Sequence, residues 1–313
     1  MNIGRAACSA TGPMRNSSSS LLLFFIDGLG IGTRGSHNPF DGLSDAEPLA
    51  IFQNETPQLP FAGVLSATDP CLGVAGRPQS ASGQTTILTG INAAAAIGAH
   101  KQGFPNQPLL DIIRQHSIFL QLKNAGIEQL VFANTYTKHF FARRPRWISA
   151  TTAAVEAAGL RFNVVEDLQE GRAVYHDFTN LLLQERGEPV NLRSPEEAAE
   201  VLSRVVASHR FTLYEYFITD KMGHAQDYPG AQKVIRSLAS FIRSLLAALD
   251  LNQTTVMLTS DHGNIEDLSV RNHTLNRVPT IVWGQQSESI AARVKSLTDI
   301  TPAIVEVLTK GIS

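Results

Sequence analysis

Three aspartates follow short apolar runs in the same way: Phe25-Ile26-Asp27-Gly28, Ile218-Thr219-Asp220 and Thr259-Ser260-Asp261-His262-Gly263. If each run is a strand of one parallel sheet, the carboxyl ends share a rim, the place where open α/β sheets bind ligands. A single Asp after a strand is ordinarily a turn or cap residue. Three on one rim repel one another unless something positive neutralises them. Histidines supply the partner chemistry: His224 lies four residues beyond Asp220, His262 adjoins Asp261, and His273 sits in Asn272-His273-Thr274 before another apolar run. These six residues offer nitrogen and oxygen ligands enough for two divalent ions. With no thiolate among them they suit Zn²⁺ or Mn²⁺, and the imidazoles argue against Ca²⁺, which takes all-oxygen sites. The remaining histidines stand alone along the chain and read as surface or core residues.

Two divalent ions need a reaction, and the candidate nucleophile lies in Pro78-Gln79-Ser80-Ala81-Ser82-Gly83-Gln84. This reads as a loop entering a helix, where free N–H groups and the positive dipole end favour an anion. A serine held there beside a metal would lose its proton and attack phosphorus; as a plain helix cap it would do no chemistry. On residue type alone Ser80 and Ser82 are both open. A third feature is the cluster Arg143-Arg144-Pro145-Arg146 ahead of Trp147. Arginine suits bidentate contacts to phosphate, so Arg143, Arg144 and Arg146 are candidate substrate contacts, with a solvated charged face as the alternative.

The elements that must position these groups alternate between strand and helix. Strands are expected at Leu21–Ile26, Gln129–Asn134, Phe211–Thr219, Thr254–Ser260 and Val278–Trp283. Helices are expected at Gly83–Ile91, Leu109–Asn124, Ser149–Ala158, Phe178–Glu185, Pro195–Ser208, Gly230–Leu249 and Leu297–Leu308, with a short one near Leu49–Phe52. Strands separated by helices imply an α/β fold, a mostly parallel central sheet covered on both faces. Residues 1–20, small and polar and ending in four serines, are expected to form a loose tail.

Composition bounds the function. The 313 residues carry 26 Lys+Arg against 28 Asp+Glu, a net charge of −2, which argues against a nucleic-acid partner. The apolar run after the tail stops at Asp27, short of the roughly 7–15 residues of a signal segment and of the ~20 of a membrane span. No membrane association is expected, and two cysteines, too few for a disulfide framework, fit a cytoplasmic setting.

Taken together, Phe25-Ile26-Asp27-Gly28, Ser80-x-x-Gly83-Gln84, Asp220-x-x-Gly223-His224, Ser260-Asp261-His262-Gly263-Asn264 with Glu266, and Asn272-His273-Thr274 resemble, in order, the motifs of the alkaline phosphatase superfamily. The branch they resemble most is that of cofactor-independent phosphoglycerate mutase and phosphopentomutase. The resemblance runs from Leu21 to about Trp283 and is weakest over about 138–195. It implies an alkaline-phosphatase-like domain over 21–313 with a small inserted lid segment at about 138–195. It also implies one ion on Asp27, Ser80, Asp261 and His262, and another on Asp220, His224 and His273. Ser80 rather than Ser82 matches the nucleophile by its distance from Gly83. Gln84 departs from the pattern, standing where the mutases often have His.

The expectation is therefore a two-metal phosphoryl-transfer enzyme acting on a small phosphorylated metabolite through a phosphoserine at Ser80. A short lid leans towards hydrolysis. A phosphomutase and a non-catalytic metal-binding protein are the alternatives.

Overall fold

Ser20–Ile26 forms β1, and its apolar side chains bury on both faces. Leu22, Phe24 and Ile26 enter one hydrophobic core while Leu21, Leu23 and Phe25 enter another, the two-residue alternation of a strand with no solvent face. The computed structural model describes residues 19–310, so the expected tail lies almost wholly outside the described residues.

The other strands are β2 (Val64–Thr68), β3 (Leu130–Phe132), β4 (Thr135–Tyr136), β5 (Asn163–Val164), β6 (Phe211–Tyr216), β7 (Thr254–Ser260) and β8 (Val278–Trp283). Six of them build one sheet in the order β2-β8-β7-β1-β6-β3, and β4 pairs with β5 in a small parallel ribbon. β1 runs parallel to both β6 and β7, and β3 runs parallel to β6. Only β8 is reversed, antiparallel to β7 and β2. The sheet is mostly parallel, as expected, and the adjacent inner strands β7 and β1 run directly into Asp261 and Asp27, while Asp220 follows β6.

Helices cover both faces. On one side lie α9 (Pro195–Ala207) and α11 (Tyr228–Ala248). α9 opens on a capping box, Ser194 with Glu197, and turns Ala198, Leu202, Val205 and Val206 inward at helical spacing. On the other side lie α1 (Ser80–Thr89), α3 (Gln107–His116), α4 (Ile118–Asn124), α6 (Ala150–Ala157), α12 (Ser287–Arg293) and α13 (Ile300–Thr309). The remaining short helices are α2 (Ala93–Ile97), α5 (Lys138–Ala142), α7 (Val165–Gln169), α8 (Leu181–Glu185) and α10 (Ile218–Ala225). None of the described helices is long and apolar enough to cross a membrane.

Four local expectations are corrected. Leu49–Phe52 is not helical; Phe52 instead makes an isolated bridge to Gly32, and Leu49, Ile51 and Phe52 bury as loop anchors. The single helix expected over Leu109–Asn124 divides at Ser117, whose hydroxyl accepts the Leu120 amide and caps α4. The helix expected from Gly83 already begins at Ser80. β6 stops at Tyr216, and α10 follows at once, so Asp220 stands in the first turn of a helix.

Segment 138–195 has two parts. α6 packs into the main core through Ala150, Ala153, Ala154 and Val155. The rest gathers a small core of its own from Val165, Leu168, Ala173, Tyr175, Leu183 and Val190.

Candidate metal centre and its cavity

The order β7-β1-β6 brings the ends of three adjacent strands together, and with them Asp261, Asp27 and Asp220. Close approach is permitted by glycine at two points. Gly28 has φ +76°, and a Cβ there would lie 2.9 Å from Asp220 Cα. In α10, a Cβ on Gly223 would lie 2.4 Å from Asn264 Cγ. That open space lets Asn264 Nδ2 donate to Asp220 Oδ1 at 2.7 Å. Glu266 ties the loops beneath the rim. Its carboxylate accepts from Gly30 N at 2.9 Å, Asn264 N at 2.7 Å, Thr274 Oγ1 at 2.5 Å and Asn276 Nδ2 at 3.0 Å.

Two groups on the rim have the spacing of a cation site. Asp27, Asp261 and His262 offer ligand atoms all within 4.8 Å of one another, and so do Asp220, His262 and His273. His224 completes the second group, with Nε2 3.4 Å from Asp220 Oδ2 and 3.2 Å from His273 Nε2. Ser80, the first residue of α1, places Oγ 3.0 Å from His262 Nε2. Ser82, the alternative nucleophile, turns away and donates to Gln79 O at 3.1 Å.

The chemistry of these groups fits divalent cations. His224 Nδ1 lies 2.8 Å from Arg271 O and His273 Nδ1 lies 2.9 Å from Pro78 O. Each carbonyl holds a proton on Nδ1 and turns Nε2 to the rim, a lone pair in the neutral ring. Although burial works to lower His273, the Asp220 carboxylate raises it and favours a proton on Nε2, the place a metal ion would take. Two such lone pairs at 3.2 Å oppose one another unless a proton or a metal ion intervenes. Asp27 Oδ1 is buried without a hydrogen-bond partner, a position a cation would satisfy.

Electrostatics tell the same story. Burial, reinforced by Asp261 and Asp220, holds the Asp27 carboxyl well above its usual range. Burial and the Asp220 charge push Asp261 up to about 8. Burial, with His273 nearby, brings His262 down to about 3, so its imidazole stays neutral and able to ligate. Asp220 goes the other way: although burial works to raise it, the His273 hydrogen bond and the other imidazoles hold it at about 2. Gln84 sits between the first two carboxyls, its Nε2 3.1 Å from Asp27 Oδ2 and 3.2 Å from Asp261 Oδ2.

A cavity of about 470 Å³ opens beside the rim, with Asp27, Ser80, Gln84 and Asp220 in its wall. Arg143, Arg144 and Arg146 do not line it. All three are exposed; Arg144 pairs with Glu156 and the Arg146 guanidinium lies 5.0 Å from the Trp147 ring centre. The cations of the cavity are Lys221 and Arg186. Lys221 was visible as the neighbour of Asp220, whereas Arg186 stands in a loop with no motif around it. Glu215 also lines the cavity and was missed; its signal was a lone acid inside the buried strand Phe211–Tyr216.

The family model of the Metalloenzyme superfamily matches residues 187–310. Among curated proteins the chain is 29% identical over 131 residues to a 2,3-bisphosphoglycerate-independent phosphoglycerate mutase of Francisella tularensis, covering 38% of this chain and 25% of the relative. It is 25% identical over 121 residues to that of Desulforudis audaxviator, covering 37% of this chain and 24% of the relative. The match thus spans about a quarter of the length of these relatives. Among solved structures, a Pyrococcus horikoshii protein superposes with TM-score 0.52 at 13% identity, over 94% of this chain and 98% of that one. A cold-active alkaline phosphatase from the psychrophile Shewanella sp. superposes with TM-score 0.52 at 11% identity, over 92% and 99%. The chain thus resembles the Metalloenzyme superfamily over 187–310 and phosphoglycerate mutases over a comparable stretch, and it has an alkaline-phosphatase-like fold.

Proposed function

We propose that the chain is a two-metal phosphoryl-transfer enzyme acting on a small phosphorylated metabolite through a phosphoserine at Ser80. The observation that carries this reading is the placement of Ser80 Oγ at a helix start, 3.0 Å from His262 Nε2, beside two acid–imidazole groups. Asp27, Ser80, Asp261 and His262 would hold one divalent ion, Zn²⁺ or Mn²⁺, and Asp220, His224 and His273 the other. Bound there, the pair would supply Lewis acidity to the serine hydroxyl and to the phosphoryl oxygens.

The chain's own residues do the rest. The Gln79 side chain does not cap α1 and Ser82 N is taken by Lys101 O, which leaves the amides of Ser80 and Ala81 to a phosphoryl oxygen. Lys221 and Arg186 offset the charge of an anion entering the cavity. Ser80 Oγ forms the bond to phosphorus as the ester oxygen departs and takes a proton. In the second step an acceptor attacks the phosphoserine and restores the hydroxyl. Residues 21–313 act in this reading as one catalytic unit, with the inserted segment walling the cavity.

Water is the proposed acceptor, because the insert is short; the enzyme is then a phosphate-ester hydrolase. The second reading, favoured by the mutase names of the relatives, returns the phosphoryl group to another hydroxyl of the substrate. The family match at 187–310 does not include Ser80 or most of the cavity wall, so it bears on the metal half of the site more than on the acceptor. Phosphorus NMR of a reaction supplied with Zn²⁺ or Mn²⁺ separates the two: free phosphate marks hydrolysis, and a shifted ester signal marks a mutase. Acid quenching followed by peptide mass spectrometry should find the phosphate on Ser80; a phosphorylated protein with Ser80 unmodified would overturn the assignment.

A further inference from the structure

The cavity wall carries a buried acid that belongs to neither acid–imidazole group. Glu215 belongs to β6 and is only 9% exposed. Its backbone is clamped by Asn134, which accepts from Glu215 N at 2.9 Å and donates to Glu215 O at 2.8 Å. Thr151 Oγ1, in the first turn of α6, donates to Oε2 at 2.5 Å. Oε1 receives no hydrogen bond from the described residues, and the side chain lines the cavity. In register Glu215 lies opposite Phe25, two residues before Asp27 on β1, so it sits about 7 Å from the rim at the ordinary rise of a strand. That is the length of a phosphoryl group and a short carbon chain.

We propose that Glu215 sets the leaving-group specificity of this cavity: Oε1 accepts a hydrogen bond from a hydroxyl on the ester's organic part, and the carboxylate turns away esters that carry a second anion there. The inference rests on the phosphoryl-transfer reading. A carboxylate is an acceptor only. Burial raises Glu215 to about 7, so above that pH it is a carboxylate that, sheltered from water, interacts strongly with any charge placed beside it. The lining mixes aromatic rings, among them Phe132, Tyr136 and Phe140, with short hydroxyl side chains, Thr135, Thr137, Ser149 and Thr152, and Glu215 is its one acid outside the two acid–imidazole groups. The cations of the cavity, Lys221 and Arg186, belong with the Phe217 and Tyr175 wall: Lys221 Nζ lies 4.8 Å from the Phe217 ring centre, and Arg186 donates to Tyr175 Oη at 2.9 Å. The substrate class is a phosphate monoester with a hydroxylated, uncharged leaving group. It excludes phosphoglycerate, whose carboxylate would meet Glu215.

The test uses the metal-loaded full chain and four esters: glycerol 3-phosphate, n-propyl phosphate, 3-phosphoglycerate and p-nitrophenyl phosphate, all followed by phosphorus NMR. Glycerol 3-phosphate should exceed both n-propyl phosphate and 3-phosphoglycerate in kcat/KM by about tenfold or more, since a site built for a hydroxyl rejects an analogue lacking it. Glu215→Gln, which keeps shape and removes charge, should bring 3-phosphoglycerate to within about threefold of glycerol 3-phosphate. Glu215→Leu should erase the advantage over n-propyl phosphate. The melting temperature of each variant, measured beside that of the wild type, shows whether it is folded, and the ratios among the four esters report the specificity. Unchanged substrate ratios in both variants, or an equal loss on all four esters, would overturn the inference while leaving phosphoryl transfer standing. If the wild type turns over none of the four and Ser80 is never phosphorylated, the phosphoryl-transfer reading itself fails, and the inference with it.

Discussion

Ser80 Oγ and His262 Nε2 meet at 3.0 Å although 182 positions separate them in the chain. The contact joins the start of α1 to the residue pair that follows β7, and it places a hydroxyl against a neutral imidazole inside a ring of carboxyls. Ser82, by contrast, donates to Gln79 O and accepts from Lys101 N, so its hydroxyl is spent on backbone.

Ser80→Ala should therefore lower turnover of any phosphate ester by at least ~10⁴-fold, the scale seen when a covalent nucleophile is removed. Metal content should stay nearly intact, because five other carboxyl and imidazole side chains and the neutral His262 still surround the two positions. Elemental analysis beside a phosphate-release assay checks both halves. Substantial activity in the variant would sink the nucleophile assignment.

Gln84 holds the second oxygens of Asp27 and Asp261 through one amide nitrogen. In this position it does the work of a neutral clamp, fixing two like charges without adding a third. Gln84→Ala should weaken binding of the ion between Asp27 and Asp261 by about 10–100-fold, the usual effect of losing a group that orients ligands. Gln84→Glu should instead lower the melting temperature of the metal-free protein, since it buries a third acid beside Asp27 and Asp261. Titration against a chelating dye reads the affinity, and a thermal melt reads the fold.

The strand runs and the three terminal aspartates were legible because burial on both faces leaves an unbroken apolar signature and because each Asp interrupts it abruptly. Val278–Trp283 was legible as a strand, but its antiparallel direction was not, since a fully buried run reads alike in either sense. The start of α10 was hidden because Tyr216, Phe217 and Ile218 continue the apolar pattern of β6 past its last ladder bond. The arginine cluster carried a plausible composition but no spatial information: Arg144 is engaged by Glu156 on the surface, while Arg186 reaches the cavity from a loop that no local pattern marks. Glu215 was legible in principle, as the one acid within a buried strand.

Gly223 leaves room for Asn264, and Asn264 in turn holds Asp220. Gly223→Ala would put a methyl group 2.4 Å from Asn264 Cγ, so the amide must leave its place. The expected outcome is a stability loss of about 1–3 kcal/mol, typical of overpacking, together with about tenfold weaker metal binding at Asp220, His224 and His273. The double variant Gly223→Ala with Asn264→Ala should recover stability but not metal affinity. Recovery of both would show that Asn264 does not hold Asp220 for the metal.

The pH dependence follows from Asp27 and Asp261. Burial and mutual repulsion raise both, Asp261 to about 8, so in metal-free protein near neutral pH these carboxyls hold protons that the unfolded chain would have lost. Between the unfolded value near ~4 and the folded value the native state binds more protons than the unfolded one. The stability of the metal-free protein should accordingly fall as pH rises through that window, from roughly pH 4 to about 8. Metal reverses the sign, because a cation binds the ionised carboxylates and must displace their protons. Apparent affinity should rise with pH up to about 8 and then level off, and adding Zn²⁺ to weakly buffered protein at pH 7 should release protons. Melting temperatures across this range, with and without metal, supply the measurement; a metal-free protein that grows more stable from pH 5 to pH 8 would contradict the raised carboxyls.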